Sequence, residues 1–267
     1  MIKTLAIIFI LTFFFFLPQQ TDDMEWVIDK EIIVKKPFVI KEPIDSTPIE
    51  KVKTNVSIPS TTNSWWKYPD VIYETKRNGN DLLVLVNKQY KLSSTYAPSD
   101  LVKASNSGIR RGESYYLRNI LMTDLTNLVN AAKGDGIDLS VVSAYRSYQT
   151  QVTTYNYWLN KNNNNVEYVD TFSARPGHSQ HQLGTTLDFS SSEIGDVLGD
   201  SFGNTNASKW LIENAYKYGF VISYPKGYES VTGYKYESWH YRYIGKENAL
   251  EMKNSGMILE NYLRSKN

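Results

Sequence analysis

The sequence predicts an α+β domain in which a small antiparallel sheet is flanked by helices. Three observations carry this. About 200 residues follow position 64, enough for one sizeable core. Helical periodicity gathers early and late in that stretch, and strand-like runs lie in its middle. The order is not the regular strand–helix alternation of a doubly wound sheet. Taken in turn, residues 82–86 are a short apolar run stopped by Asn87 and Lys88, and are expected as a buried strand. Leu117, Ile120, Leu121, Leu125, Leu128 and Val129 recur at helical spacing up to Gly134, which predicts a helix with a C-terminal glycine. Residues 139–142 read as a strand and 148–159 as a helix. A further helix spans about 209–218 and ends at Gly219, with a strand over 220–224 behind it. Residues 247–263 close the chain as one helix. The asparagine run 162–165 is a polar loop, and no internal repeat is visible.

The segment before this domain reads differently. Lys3 precedes an apolar stretch, 5–17, of Ile, Leu and Phe with one Ala and one Thr, and a polar run follows. A membrane-spanning helix wants about 20 apolar residues, whereas an export signal has a core of roughly 7 to 15 after a positive charge. Residues 1–17 are therefore expected to be a signal peptide or an N-terminal anchor, the only membrane tether the sequence offers. Residues 18–64 hold Pro18, Pro37, Pro43, Pro48 and Pro59 among charged and hydroxyl residues, the composition of an extended spacer. Its short apolar groups, 32–34 and 38–40, are the alternative, as material for an edge strand. The domain itself is expected over 65–267, working outside the cytoplasm.

Charge and composition exclude several function classes. With 29 Lys+Arg against 28 Asp+Glu and no long basic block, nothing electrostatic favours a nucleic-acid partner. The absence of cysteine removes disulfides, thiolate nucleophiles and Cys-type zinc sites. Any metal must sit on His, Asp or Glu, so the three histidines, His178, His181 and His240, deserve locating first.

Chemistry concentrates in three segments. In the first, 179–189, His181 and Asp188 flank Gly184, and a bend there would bring imidazole and carboxylate to one point. A zinc site needs that convergence; the plainer alternative is a loop histidine and an aspartate closing a strand. In the second, Glu237 stands three positions before His240 in an aromatic run. That is a recurring metalloenzyme arrangement in which the imidazole binds the ion and the carboxylate takes a proton from water. On a regular strand the two side chains would face opposite ways, so a local bend is required. The set His181, Asp188 and His240 would leave a fourth position for water, as catalytic zinc sites do. The alternative is a group of core aromatics. In the third, Arg146 sits where an apolar strand turns into a helix, suited either to hold a planar carboxylate or to form a surface ion pair.

In order and local pattern these segments resemble the VanY-type D-alanyl-D-alanine carboxypeptidases and the related L,D-carboxypeptidases. These belong to a zinc-peptidase superfamily that also holds lysostaphin-like peptidases and the hedgehog signalling domain. The resemblance covers roughly residues 81–243. It rests on 83–88 with 96–101 downstream; on Ser143, Tyr145, Arg146, Ser147 and Gln151; on Pro176, Gly177, Ser179, His181, Gly184 and Asp188; and on Glu237, Trp239, His240, Arg242, Tyr243 and Gly245. Departures fall at Gln180, Leu183, Thr186 and Ser223, none of them a proposed ligand. The resemblance implies a hedgehog/D-Ala-D-Ala-peptidase-like fold, Zn2+ on His181, Asp188 and His240, and Glu237 as the catalytic base. It also implies substrate contacts from Arg146, Gln151, Ser179 and Trp239, and action on peptidoglycan stem peptides of a bacterial cell wall; a monomer at the cell surface is the accompanying expectation. The alternatives are a peptidoglycan endopeptidase, which needs no carboxylate clamp, and a non-catalytic zinc-bearing wall-binding module, which has no use for Glu237. His178 is left over and expected on the cleft rim.

Overall fold

The computed structural model describes residues 64–267, so the expected leader and spacer, 1–17 and nearly all of 18–64, lie outside the described residues. Two short parallel strands, β1 (Tyr73–Glu74) and β2 (Tyr90–Lys91), come first. An antiparallel pair follows, β3 (Leu101–Lys103) with β4 (Tyr116–Arg118). The chain then runs through α1 (Met122–Gly134), β5 (Leu139–Ser143), α2 (Tyr148–Lys161), α3 (Val166–Asp170) and β6 (Thr186–Ser191). It closes with α4 (Asn206–Asn214), β7 (Phe220–Ile222), α5 (Glu229–Thr232), β8 (His240–Tyr243), α6 (Lys246–Ser255) and α7 (Leu259–Lys266). The central sheet has the order β5-β6-β8-β7 with every neighbouring pair antiparallel, the small sheet that the sequence predicts.

Strand alternation decides where chemistry can sit. Along β6, Leu187 and Phe189 join the main core with Tyr241 and Tyr243 of β8, packed against Leu117, Leu121, Leu125 and Leu128. Successive strand residues face opposite ways, so Asp188 and His240 are turned to the sheet's other face. They are register partners across β6 and β8. The core thus uses one side of the sheet and leaves the other for polar groups.

Four expectations need correction. Residues 82–86 are buried at Val84, Leu85 and Val86 yet form no strand. Their carbonyls serve side chains instead: the fully buried Arg242 donates to Leu82 O (3.0 Å) and Val84 O (2.7 Å), and Asn267 donates to Leu83 O (2.8 Å). Leu117 belongs to β4, and the helix after it starts at Met122, behind a short 3-10 turn over Asn119–Leu121. The strand expected over 220–224 stops at Ile222, where Ser223 and Tyr224 bend away ahead of Pro225. The closing helix is two, because Gly256 adopts φ +69 and ends α6 in a left-handed cap before α7 begins.

His178 is also misplaced by the sequence reading. It is buried away from the cleft, its Nδ1 donating to the Asn87 carbonyl (2.8 Å) and its ring edge-on to Tyr68 at 4.9 Å. Burial lowers its pKa to about 4, against about 6.5 in an unfolded chain. The unfolded state therefore binds the extra proton between pH 6.5 and about 4, and stability falls as pH drops through that window. We expect this to amount to about 3 kcal/mol. Urea titrations of chelator-treated protein should show a shallower acid slope in His178→Asn than in the wild type. Equal slopes would remove His178 as the source.

Candidate active site

His181 lies in a 3-10 turn, Gln180–Leu183, capped by Ser179, whose Oγ accepts from the His181 backbone N–H (3.3 Å). The turn ends at Gly184 with φ +69, and a Cβ there would meet Arg118 Cγ at 2.9 Å. Left-handed backbone plus close packing leaves glycine as the residue that fits. The bend delivers the chain straight into β6, and His181 Nε2 comes to 3.3 Å from Asp188 Oδ2. His240, opposite Asp188 in the sheet, places Nδ1 at 3.1 Å from Asp188 Oδ1. A turn at Ser238 and Trp239 supplies the local bend that Glu237 requires, and its Oε2 lies 3.4 Å from His240 Nδ1. The Glu237 backbone N–H donates to Tyr224 O, which fixes this turn beside the end of β7.

The donor set fits a divalent cation. One atom each from His181, Asp188 and His240 lie within 4.8 Å of one another, and all three side chains are buried. A tetrahedral ion with bonds of about 2.1 Å holds its ligand atoms roughly 3.4 Å apart; the two imidazole–Asp188 distances, 3.3 and 3.1 Å to one carboxylate oxygen each, are close to this. His181 Nδ1 donates to the Ala144 carbonyl (2.7 Å), which leaves the Nε2 lone pair directed at the shared centre. Asp188 Oδ1 is buried without a hydrogen-bond partner, a cost that a cation would relieve.

Electrostatics agree. Burial, reinforced by the nearby Arg146 charge, lowers His181 to about 4, so the imidazole is neutral and able to ligate at neutral pH. Burial would raise Asp188, but the two imidazoles facing it outweigh this and hold its carboxyl well below the usual range. Glu237 moves the other way: burial first, then the Asp188 charge, push it well above the ordinary carboxylate range, with Arg146 partly offsetting both.

These groups line one cleft of about 380 Å³. Arg146, Ser179 and Trp239 line it too, as expected. The backbone N–H of Arg146 donates to His181 O, which ties the β5–α2 corner to the ligand turn. Among the described residues its guanidinium makes one contact, 3.4 Å to Ser143 Oγ, its Nε has no partner, and no carboxylate forms an ion pair with it. Burial works against this charge while Asp188 and Glu237 sustain it. Gln151 departs from expectation: its side chain is buried outside the cleft lining, and Nε2 donates to Ala174 O (2.7 Å). That bond braces the cleft wall, while its Oε1 is buried without a partner. The wall beyond the ligands, with Trp158, Tyr168 and Phe172, and the Tyr224 ring 4.8 Å from His240, carried no sequence signal, because aromatic residues at such spacing are indistinguishable from core.

Two imidazoles, a carboxylate, a second carboxylate beside them and an unpaired guanidinium in one cleft are the equipment of a metal-assisted peptide hydrolase. The profile of the family described as "VanY: D-alanyl-D-alanine carboxypeptidase" matches residues 114–246. The protein YodJ of Bacillus subtilis is 40% identical over 196 residues, covering 71% of this chain and 69% of its own. The D-alanyl-D-alanine carboxypeptidase of Enterococcus faecalis is 34% identical over 190 residues, 68% of this chain and 66% of its own. Among solved structures, the LdcB LD-carboxypeptidase superposes with a TM-score of 0.66 at 37% identity, covering 75% of this chain and 95% of that one. VanYB in complex with D-alanine-D-alanine gives 0.58 at 30% identity, covering 69% and 98%. The chain belongs to the VanY-type D-alanyl-D-alanine carboxypeptidase family, and it is a metallo-carboxypeptidase.

Proposed function

We propose that this chain removes the C-terminal D-alanine from peptidoglycan stem peptides, using Zn2+ on His181, Asp188 and His240, outside the cytoplasm of a bacterium. The observation that carries the reading is Arg146: a guanidinium with no carboxylate ion-pair partner among the described residues, in the same cleft as the ligand set and Glu237. A free C-terminal carboxylate is the group it matches, through two parallel hydrogen bonds. A bound divalent ion supplies Lewis-acid activation of water and of the scissile carbonyl. Glu237, raised by burial and by Asp188, takes the proton of the attacking water and returns it to the leaving amine. Arg146 places the terminal residue so that the scissile bond, and no bond further along, reaches the centre. Zinc is supported by the donor set and by a VanY structure solved in complex with Zn(II). Export is supported by the apolar leader, 5–17, behind Lys3.

Two terminal bonds suit this reading, since LD-carboxypeptidases and a D,D-pentapeptidase are both among the structural neighbours. Mass spectrometry of muropeptides incubated with the zinc-loaded protein tests it. Loss of one alanine from tetrapeptides supports L,D-activity and loss from pentapeptides D,D-activity. Split crosslinks with intact termini would overturn the carboxypeptidase reading in favour of an endopeptidase.

A further inference from the structure

His240 presents Nδ1 to Asp188 and Glu237, so its other nitrogen, Nε2, must be satisfied elsewhere in a buried setting. It lies 3.3 Å from Gln180 Oε1. The same oxygen accepts from Ser223 Oγ at 2.7 Å, and both Gln180 and Ser223 are buried. Ser223 is itself fixed at the end of β7, its backbone N–H donating to the His240 carbonyl (3.1 Å). Gln180 immediately precedes the proposed ligand His181, so one short turn touches both imidazoles of the set.

We propose that Gln180 is a positioning residue for the metal site: its amide oxygen, oriented by Ser223, holds the proton of His240 on Nε2 and keeps the Nδ1 lone pair directed at the ion. This rests on the ligand assignment proposed above. An imidazole ligates through one nitrogen only when the proton sits on the other, and the acceptor facing that proton sets ring orientation and ligand basicity. An amide oxygen does this without adding charge, so the site keeps the charge balance set by Asp188, Glu237 and Arg146. Ser223 matters because a glutamine amide can present either end, and a hydroxyl donor at 2.7 Å selects the oxygen.

The test measures zinc affinity of the full-length protein by competition with a chromophoric chelator, with no turnover involved. Gln180→Met keeps the length and loses the acceptor; its affinity should fall about 10- to 100-fold. Gln180→Glu keeps an acceptor oxygen at the same place and should bind at least as tightly as the wild type. Ser223→Ala leaves the amide unoriented and should lose several-fold. Thermal midpoints of the metal-free proteins identify any variant that fails to fold, in which case Gln180→Glu and Ser223→Ala decide. Wild-type affinity in Gln180→Met, or weaker binding in Gln180→Glu than in the wild type, would overturn the proposal. His240→Ala serves as the reference: if it binds zinc as well as the wild type, the ligand assignment fails, whereas normal loss in His240→Ala beside an unaffected Gln180→Met removes Gln180 alone.

Discussion

Replacing Glu237 by glutamine is expected to lower kcat by about 10²- to 10⁴-fold, the range associated with a positioned general base, while zinc remains bound. The substitution conserves size and one oxygen and removes the proton-accepting function. The other two carboxylates that line the cleft are placed differently. Asp188 is committed to the ligand set, and its carboxyl is held well below the usual range by the imidazoles on either side. Asp200 lines the same cleft but is not paired with either imidazole. Metal content measured beside kcat separates the roles: a variant that has lost turnover but kept zinc identifies Glu237 as the base, and one that has lost both identifies it as a ligand. Full activity in a zinc-loaded Glu237→Gln protein would sink the assignment.

The bend that brings the ligand candidates together is legible in the sequence because a local device sets it. Gly184 marks the bend that turns His181 back toward Asp188, and the alternation Leu187, Asp188, Phe189 declares which strand face is core. What could not be read was pairing between distant segments. Residues 82–86 look like a strand because burial of an apolar run and its membership of a ladder give the same local signal. The difference lies in Arg242, about 160 positions on, which takes two of the carbonyls. Lys88 reads as the polar end of that run. It is in fact buried between the rings of Tyr68 and Tyr234, at 4.2 and 4.0 Å, with Nζ donating to Asp170 O (2.7 Å). Gln151 shows the same limit: its spacing from Arg146 is visible in the sequence, but the Ala174 carbonyl that its amide nitrogen meets comes from another segment.

Replacing Arg146 by alanine is expected to lower kcat/KM on peptides with a free C-terminal carboxylate by about 10²- to 10³-fold, corresponding to the roughly 3 to 4 kcal/mol of a buried bidentate charge pair at a catalytic centre. Two features of the structure raise the effect above that of an ordinary ion pair. The guanidinium is half-buried, with a buried Nε that has no partner, so solvent competes less for its hydrogen bonds than at an open surface, and among the described residues it has no carboxylate ion-pair partner to give up when substrate arrives. Lysine should restore little, since a point charge cannot reproduce two parallel N–H donors. The decisive comparison is a matched pair of substrates, one ending in a carboxylate and one in the corresponding amide. The wild type should favour the acid strongly, and Arg146→Ala should hydrolyse the two at nearly equal, low rates, because only the acid form has anything to lose. The backbone N–H of residue 146 still reaches His181 O in the variant, so zinc content should be preserved and the loss should fall on substrate placement. An undiminished preference for the acid in Arg146→Ala would mean that another group reads the chain terminus.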